Sequence, residues 1–443
     1  MPRRGPPDRP NDPRVSNGKP TPVSRGRSTQ ATIEADVLVV GAGPGGSATA
    51  YHLASHGADV LMVDKAIFPR EKVCGDGLTP RGVRTLERMG VDPLEPGFTR
   101  VDRLRSYGVN GTVTDLPWPK LRSFPSFGVV RTRLDLDNLL ATRAVKAGAR
   151  FLQGVEATKP VRSEDGWIAG AILKENGDVR EVRARFVVAA DGASSRFAQQ
   201  AGVVRDDSRP MGIAARRYYR IARQQEPVFE AFVNIVDPAT DGVMAGYGWI
   251  FPLGDGVVNV GAGLLNTFTR FKEISARKLL DTFLTNLPQE WGINEENAVG
   301  PVLSGPIPMG MNRQPLAVPG MLLVGDAGGM VNPFNGEGIA YAMETGELAA
   351  ELITDALTRN RPAVAHMYPV LLRERYGQYY FVGRQWVRMI GHPRFMRFAV
   401  QHGFPREKAM KFALRFMANL TDGKDGSSND KLMHALVSMA PKR

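Results

Sequence analysis

The stretch VVGAGPGG at residues 39–46 constrains the fold of this chain more than any other feature. Its glycines have the GxGxxG spacing, which permits a tight turn, close approach of a pyrophosphate to the backbone, and packing of a helix on a strand. The surrounding sequence predicts a strand at 35–40, a helix at 47–56 and a second strand at 60–64. Asp64 ends that second strand, where it can accept hydrogen bonds from a ribose. This βαβ unit predicts dinucleotide binding, with the phosphates at the positive end of the helix.

Two later apolar runs end in similar polar turns. ARFVVAADG (184–192) reaches Asp191 and Gly192, and GMLLVGDAGG (320–329) reaches Gly325 and Asp326. Between these runs and the first glycine turn lies RTRLDLDNLL at 131–140. These segments resemble the second and third fingerprints and the R-x-x-Φ-D-x-x-L motif of two-domain flavoproteins of the aromatic hydroxylase type. The resemblance implies that the dinucleotide is FAD.

Asp326 is expected to accept hydrogen bonds from the ribitol, while the following glycines expose amides to the flavin edge that becomes negative on reduction. Asp191 has two alternatives, a cofactor-side role or a helix cap. GAGLLN (261–266) lacks a third glycine, so the sequence predicts no separate NAD(P)H domain. No metal site is predicted. The predicted cofactor-binding residues are Gly41, Gly43, Pro44, Gly45, Gly46, Asp64, Lys65, Arg70, Cys74, Gly75, Arg133, Asp191, Gly325, Asp326, Gly336, Gly338 and Ile339.

YGWIFP at 247–252 places three aromatic residues at alternate positions of a predicted strand. Alternate residues of a strand point to one face, so Tyr247, Trp249 and Phe251 are expected to line one surface. That surface is either ordinary core, the commoner outcome for aromatic residues, or the wall of an apolar pocket. Lys72 and Arg70, in FPREKVCGDGLTP at 68–80, are expected either to contact FAD or to brace their loop.

Together, YGWIFP and FPREKVCGDGLTP resemble motifs of the geranylgeranyl reductase family of FAD-dependent oxidoreductases, and within it the bacterial menaquinone reductases. Met244 departs from the proline that the family often has three residues before the tyrosine. The resemblance implies a polyprenyl lipid substrate, with menaquinone or a geranylgeranyl group favoured. Its isolated double bond needs hydride at one carbon and a proton at the other. Tyr247, Trp249, Phe251 and Pro252 are predicted to bind substrate, and Cys74, Tyr247 and Trp249 are predicted to be catalytic.

Aromatic faces suit this chemistry because they stabilise positive charge that builds on a tertiary carbon. Burial of one isoprene unit contributes roughly 3–4 kcal/mol at ~0.8 kcal/mol per CH2. Cys74 has two alternatives: a small buried side chain, or a thiol beside the flavin that relays a proton. It is the only cysteine of the 443 residues, which excludes an internal disulfide and suits a reducing compartment.

The net charge of +12 is concentrated at two places, with +5 in residues 1–30 and +8 in residues 367–420. Arginines alternate with Phe, Trp and Met through 379–417, a pattern typical of an interfacial helix on anionic lipid. A packed helical bundle with solvated arginines and an RNA-binding surface are the alternatives, and no RNA-binding motif accompanies the pattern. We therefore expect a peripheral protein at the cytoplasmic face of the cell membrane, with no nucleic-acid partner and no transmembrane segment.

The predicted fold is α/β, with a Rossmann-like FAD-binding domain of the aromatic hydroxylase type interleaved with a smaller β-sheet substrate domain. The apolar pattern at 339–358, with Ile339, Met343, Leu348 and Ile353, predicts an amphipathic helix, and a helical C-terminal region follows. The electron donor stays open between NAD(P)H and a ferredoxin-like protein. A flavin monooxygenase or halogenase on the same scaffold and a non-catalytic lipid or flavin carrier are the alternative functions. The predicted segments are a disordered basic proline-rich tail (1–32), the FAD-binding domain (33–106, 128–200, 302–360), the substrate domain (107–127, 201–301) and the C-terminal region (361–443).

Overall fold

A computed structural model describes residues 32–108, 111–221, 226–392, 395 and 406–441. The predicted disordered tail lies outside these residues except for Thr32. The helices are α1 Pro44–Ser55, α2 Pro80–Arg88, α3 Arg133–Lys146, α4 Arg196–Gln200, α5 Ala276–Thr285, α6 Ile339–Thr358, α7 Tyr368–Leu372, α8 Gln378–Ile390, α9 Glu407–Met417 and α10 Ser428–Ser438. The strands of the N-terminal half are β1 Ile33–Val40, β2 Val60–Asp64, β3 Gly77–Leu78, β4 Thr99–Val101, β5 Arg103–Tyr107, β6 Val113–Pro117, β7 Gly128–Val130, β8 Arg150–Gln153, β9 Glu156–Arg162, β10 Ile168–Glu175 and β11 Asp178–Ala189. The later strands are β12 Val204–Arg205, β13 Met211–Arg220, β14 Val228–Phe232, β15 Val236–Asp237, β16 Gly242–Val243, β17 Gly246–Gly254, β18 Val257–Leu265, β19 Ala298–Pro308, β20 Arg313–Gln314, β21 Ala317–Val318 and β22 Met321–Leu323.

The first sheet has the order β21-β22-β11-β1-β2-β8, and β9 and β10 extend it beside the first half of β11. The pairs from β22 across to β8 are parallel, and the apolar residues of β2 and β22 and of the carboxyl-terminal halves of β1 and β11 are buried. Parallel strands present their carboxyl ends at one edge. The turns after β1, β2, β11 and β22, which carry the predicted fingerprints, therefore meet at the same edge. The predicted Rossmann-like α/β fold is confirmed.

Helices α1 and α6 cover this sheet and pack on each other at close range. A Cβ on Gly346 would lie 2.5 Å from the carbonyl oxygen of Gly45, so only glycine fits there. Helix α1 begins at Pro44, three residues before the predicted start, because proline is well suited to a first helical position. Helix α6 has the predicted bounds, but its first half is buried on all sides rather than amphipathic, because the C-terminal helices cover its outer face.

The second sheet has the order β19-β13-β18-β17-β14-β5-β6, antiparallel except for the parallel pair β14–β5. Helix α5 buries Leu279, Leu280 and Phe283 against one face. Strand β5 begins at Arg103 and β19 ends at Pro308, so this sheet draws on three separated parts of the chain. The division into domain segments given above stays a prediction.

The C-terminal helices dock on the first sheet through buried polar contacts. The Tyr368 hydroxyl donates to the Leu323 carbonyl (2.8 Å), and the Tyr380 hydroxyl donates to that of Met330 (2.6 Å). The Asn332 amide donates to the carbonyl of Met417 at 2.9 Å. The predicted helical C-terminal region is confirmed. Of the helices described, none is both long and apolar enough to cross a membrane.

Candidate FAD and substrate site

A cavity of about 790 Å³ lies between the carboxyl edge of the first sheet, one face of the second sheet and helix α8. Its lining includes predicted site residues from five segments: the glycine turn, the Cys74 loop, α3, β17 and the Gly325 turn. The structure thus brings together segments that are far apart in the sequence. The lining includes Gly41, Gly43, Pro44, Gly45, Asp64, Lys65, Arg70, Cys74, Gly75, Arg133, Asp191, Tyr247, Trp249, Gly325, Asp326, Gly336, Gly338 and Ile339.

The glycine turn leaves the cavity floor without side chains. Gly41 has φ +101°, a conformation that favours glycine, and a Cβ there would lie 2.3 Å from the Ala190 carbonyl oxygen. A Cβ on Gly43 would meet only the Arg70 guanidinium, at 3.7 Å. Gly46 does not line the cavity, because it packs against Gly41. Backbone is therefore exposed where the spacing predicts pyrophosphate.

The acidic residues after β2 and β11 differ in their contacts. Asp64 accepts hydrogen bonds from the backbone amides of Ala42 and Ala66, each at 2.9 Å. A carboxylate has further acceptor sites, so Asp64 retains capacity for a ribose hydroxyl. Asp191 accepts from Ser195 Oγ (3.1 Å) and the Phe197 amide (3.0 Å), as a cap at the start of α4 does. Burial raises the pKa of Asp191, and its role in cofactor binding stays a prediction.

The turn after β22 directs Asp326 into the cavity. Gly325 has φ +57°, and a Cβ on Gly338 would lie 3.6 Å from Asp326 Oδ1. Burial raises the pKa of Asp326, while Lys72 and Arg133 act in the opposite direction. Burial lowers the pKa of Lys72, which lines the same cavity and has Asp326 as its strongest attractive charge. This acid–base pair stands where the sequence predicts ribitol contacts.

Two of the cavity arginines share one buried counter-ion. Arg133 makes two hydrogen bonds to Asp137, at 2.5 and 2.7 Å, and Arg70 Nη1 lies 2.8 Å from the same carboxylate. Asp137 is fully buried. Removal of one member of a buried ion pair is costly, so Asp137 holds both guanidinium groups in the cavity wall.

The loop after β2 places Cys74 and Gly75 against the second sheet. A Cβ on Gly75 would lie 3.2 Å from the Phe251 ring and 3.3 Å from Trp249 Nε1. Burial raises the pKa of the Cys74 thiol, while the Arg133 guanidinium and the Asp76 backbone amide act to lower it. The thiol is therefore protonated at neutral pH, and groups that stabilise its anion adjoin it.

The aromatic side chains of β17 form a row, as their alternation predicts. Ring centroids are 5.9 Å apart for Tyr247 and Trp249, and 6.3 Å apart for Trp249 and Phe251. Tyr247 donates to the carbonyl of Asn335 at 2.9 Å, and burial raises its pKa. The row is divided, because Tyr247 and Trp249 line the cavity whereas Phe251 packs on another phenylalanine ring.

Pro252 also lies outside the lining, on the opposite face of β17 with Ile250. Substrate contact by Phe251 and Pro252 stays a prediction. The apolar end of the cavity was not predicted from the sequence, because distant segments form it together. The one sequence feature that indicated part of this apolar end is the Trp and Met content of the basic C-terminal segment. This end is lined by Leu265, Ile307, Met309, Phe334, Trp386, Ile390 and Met417.

Glu337 is a further residue that was not predicted from the sequence. It stands between two cavity glycines, but its side chain accepts a hydrogen bond from Thr79 Oγ1 at 2.6 Å. Its other carboxylate oxygen is buried, with no hydrogen-bond partner in the described part of the chain. Burial raises the pKa of Glu337 to about 7.

The cavity residues fit FAD. The backbone at Gly43 is open to the cavity, and Asp64 and Asp326 offer carboxylates for hydroxyl groups. Arg70, Lys72 and Arg133 supply positive charge in the wall. These are the groups that pyrophosphate, ribose and a reduced flavin require.

Comparisons with known proteins agree with this fit. A sequence model described as an FAD binding domain matches residues 34–216. The menaquinone reductase of Mycobacterium tuberculosis (strain ATCC 25618 / H37Rv) is 38% identical over 392 residues, 88% of this chain and 92% of that protein. Digeranylgeranylglycerophospholipid reductase 1 of Methanothermobacter thermautotrophicus is 33% identical over 78% of this chain and 83% of that protein.

Solved structures show the same fold. A geranylgeranyl bacteriochlorophyll reductase-like protein of Thermoplasma acidophilum has a TM-score of 0.74 and 25% identity, covering 92% of this chain and 100% of that chain. A flavin-dependent brominase has a TM-score of 0.69 over 92% of this chain and 98% of that chain, but its 18% identity shows the fold alone. Fold, cavity and relatives define an FAD-dependent oxidoreductase. The chain belongs to the geranylgeranyl reductase family.

Proposed function

We propose that this protein saturates an isolated double bond of a polyprenyl lipid, with the menaquinone side chain the favoured substrate. The observation that carries the proposal is the continuity of the cavity. It joins the glycine turn and Asp326 to an apolar end bordered by Tyr247 and Trp249. The relatives named menaquinone reductase and digeranylgeranylglycerophospholipid reductase support the same substrate class.

FAD, when bound and reduced, supplies hydride for one carbon of the double bond. The chain's own residues then have three tasks. The apolar end holds the prenyl chain and excludes water, the Tyr247 and Trp249 rings stabilise positive charge on the tertiary carbon, and the Cys74 thiol holds the proton for the other carbon. Arg133 and the Asp76 amide stabilise the resulting thiolate, which recovers its proton from water. Hydride and proton together add two hydrogen atoms. The electrons come from NAD(P)H or a ferredoxin-like protein.

The decisive experiment is anaerobic incubation of the chemically reduced holoprotein with menaquinone, followed by mass spectrometry of the quinone. We expect a product heavier by two hydrogen atoms in its prenyl chain, together with reoxidised flavin. Product that forms only with oxygen would instead support the monooxygenase or halogenase alternative. Reduced flavin that no prenyl lipid reoxidises would support a carrier.

The thiol is tested by Cys74→Ser and Cys74→Ala. We expect FAD content to be retained and turnover to fall in both variants, with the serine variant the less impaired because it keeps an O–H. Unchanged turnover in both variants would remove Cys74 from the mechanism.

We further propose that the protein works at the cytoplasmic surface of the cell membrane, because its substrate resides in a bilayer. The basic C-terminal helices support this. Arg384 and Arg388 lie on α8, the helix whose Trp386 and Ile390 line the cavity. Flotation with anionic liposomes should recover the protein at low salt, and neutral liposomes serve as the control. Absence of the protein from both liposome fractions would contradict membrane association.

A further inference from the structure

A buried amide joins the Cys74 loop to the aromatic strand. Asn259 is fully buried in β18 among apolar neighbours. Its Oδ1 accepts from Trp249 Nε1 at 3.0 Å, and its Nδ2 donates to the Cys74 carbonyl at 2.9 Å. An indole N–H can only donate, so the amide oxygen must face Trp249. The orientation of Asn259 is therefore fixed by its partner.

A buried carboxylate completes the link. Asp76 is fully buried with φ +65°, and its Oδ2 accepts from Asn259 Nδ2 at 2.8 Å and from the Tyr218 hydroxyl at 2.7 Å. Its Oδ1 accepts from the Arg133 backbone amide at 3.1 Å. Donors from β13, β18 and the start of α3 thus converge on one side chain in the loop.

Burial of strand β18 does not by itself require a polar side chain at position 259. An apolar side chain at position 259 would avoid the cost of removing an amide from water, and Asn259 does not itself line the cavity. Two of its hydrogen-bond partners, Cys74 and Trp249, line the cavity wall. The network stands where the loop from the first sheet meets the second sheet.

We propose that Asn259 and Asp76 are positioning residues, which fix the Cys74 loop against Trp249 and so set the position and reactivity of the thiol in the cavity wall. The catalytic consequence rests on the proposed prenyl reduction. The positional claim does not, because thiol reactivity is measurable without substrate. Cys74 is the only cysteine, so alkylation of the protein reports on this loop alone.

Charged and titratable groups face the network from α3, β13, β17 and the Cys74 loop. Tyr247 of β17 interacts with the Cys74 thiol, and Glu71 of the loop pairs with Arg216 at 2.6 Å. Arg133 faces it from α3, Tyr218 and Arg216 face it from β13, and the Arg216 guanidinium lies 4.1 Å from the Tyr218 ring centroid. Burial raises the pKa of Asp76 to about 6, so its carboxylate is ionised at neutral pH and acts to raise the pKa of the Cys74 thiol. Movement of the loop would change both the accessibility and the protonation of the thiol.

The experiment measures the rate of Cys74 alkylation by iodoacetamide in FAD-loaded protein, from about pH 6 to about pH 10. Asn259→Leu removes the amide at similar size. We expect alkylation at least about tenfold faster, with a shifted pH midpoint. Asn312→Leu is the matched control. Asn312 is also fully buried and donates to a backbone carbonyl, but that carbonyl belongs to Pro210 and not to the Cys74 loop. In this variant the alkylation rate of Cys74 should stay within about twofold of wild type.

Trp249→Phe keeps an aromatic face while it removes the donor to Asn259, and it serves if Asn259→Leu fails to load FAD. We expect alkylation about threefold faster in this variant. A wild-type rate and pH midpoint in every FAD-loaded variant would overturn the proposal. In the prenyl assay, Asn259→Leu should lower kcat more than it changes KM. If wild-type protein reduces no prenyl lipid, the proposed function fails while the alkylation rates still decide the positioning.

Discussion

A Cβ on Gly46 would lie 1.8 Å from the carbonyl oxygen of Gly41, closer than any two such atoms can approach. Helix α1 therefore keeps its place against the turn only with glycine at position 46. We expect Gly46→Ala to purify without FAD and to resist reconstitution, as measured by flavin absorbance per protein.

Gly57 follows the other end of α1 and is the control for this substitution. It has φ +83°, and no heavy atom of the described residues lies within 4 Å of its Cβ position. Gly57→Ala should cost about 1 kcal/mol of stability from its backbone conformation and keep its flavin. A Gly46→Ala protein with full flavin content would contradict the predicted cofactor site.

Neighbouring ion pairs of α3 differ in burial and should differ in their contribution to stability. Asp137→Asn leaves two guanidinium groups without their counter-ion in a buried place, so we expect a loss of about 3–5 kcal/mol. Asp135→Asn breaks the ion pair between Asp135 and Arg131. Because the Asp135 side chain is 47% exposed, the loss of this pair should cost below about 1 kcal/mol. Urea denaturation of the holoprotein measures both. Equal losses would show that burial of Asp137 is not what matters.

Glu337 gives a pH dependence with a definite sign. Its pKa rises from 4.5 to about 7 in the folded chain, so the folded state binds more protons than the unfolded state between these values. The contribution of Glu337 to stability is therefore most favourable below about pH 4.5 and is lost as the pH rises through about 7. Relative to wild type, Glu337→Gln should gain about 2–3 kcal/mol between about pH 5 and about pH 8.

Chemical denaturation at several pH values tests this prediction. Glu290→Gln, at an exposed position, provides the control and should follow the wild-type curve. A Glu337→Gln curve parallel to that of wild type would mean that the carboxyl group is not held protonated.

Two glycines of β18 should respond differently to alanine. A Cβ on Gly261 would lie 2.1 Å from the Trp249 ring, whereas on Gly263 the nearest atom is 3.7 Å away. We expect Gly261→Ala to cost about 1–3 kcal/mol through overpacking and to change the near-ultraviolet circular dichroism of the indole. Gly263→Ala should leave the stability and the near-ultraviolet circular dichroism nearly as in wild type. The opposite order would mean that Trp249 does not lie across β18.

The FAD-binding end of the site was predictable because its constraints are local. A tight turn, a bound phosphate and a closely packed helix need glycine at fixed spacing. Gly41, Gly43 and Gly46 have this spacing within six residues. Helix α6 was likewise predicted with its observed bounds from its apolar pattern. The burial of its first half on all sides was not predicted, because the covering helices come later in the sequence.

The apolar end and the polar network were not predictable, because packing between distant segments creates them. Val387 and Ile390 of α8 pack with Leu265 of β18 only after the C-terminal helices dock, and no local spacing encodes that contact. Asn259 left one faint signal, a single amide in the apolar strand VVNVGAGLL. A lone polar residue in such a strand indicates a buried partner, but not which partner.

The wall formed by Trp386, Ile390 and Met417 has a consequence for biosynthesis. A ribosome completes every fingerprint of the coenzyme site before it reaches these three residues. A chain halted near residue 380 would thus contain every predicted FAD-binding segment but would lack this wall of the cavity. These three later residues therefore close the apolar end of the cavity, where we propose that the lipid binds.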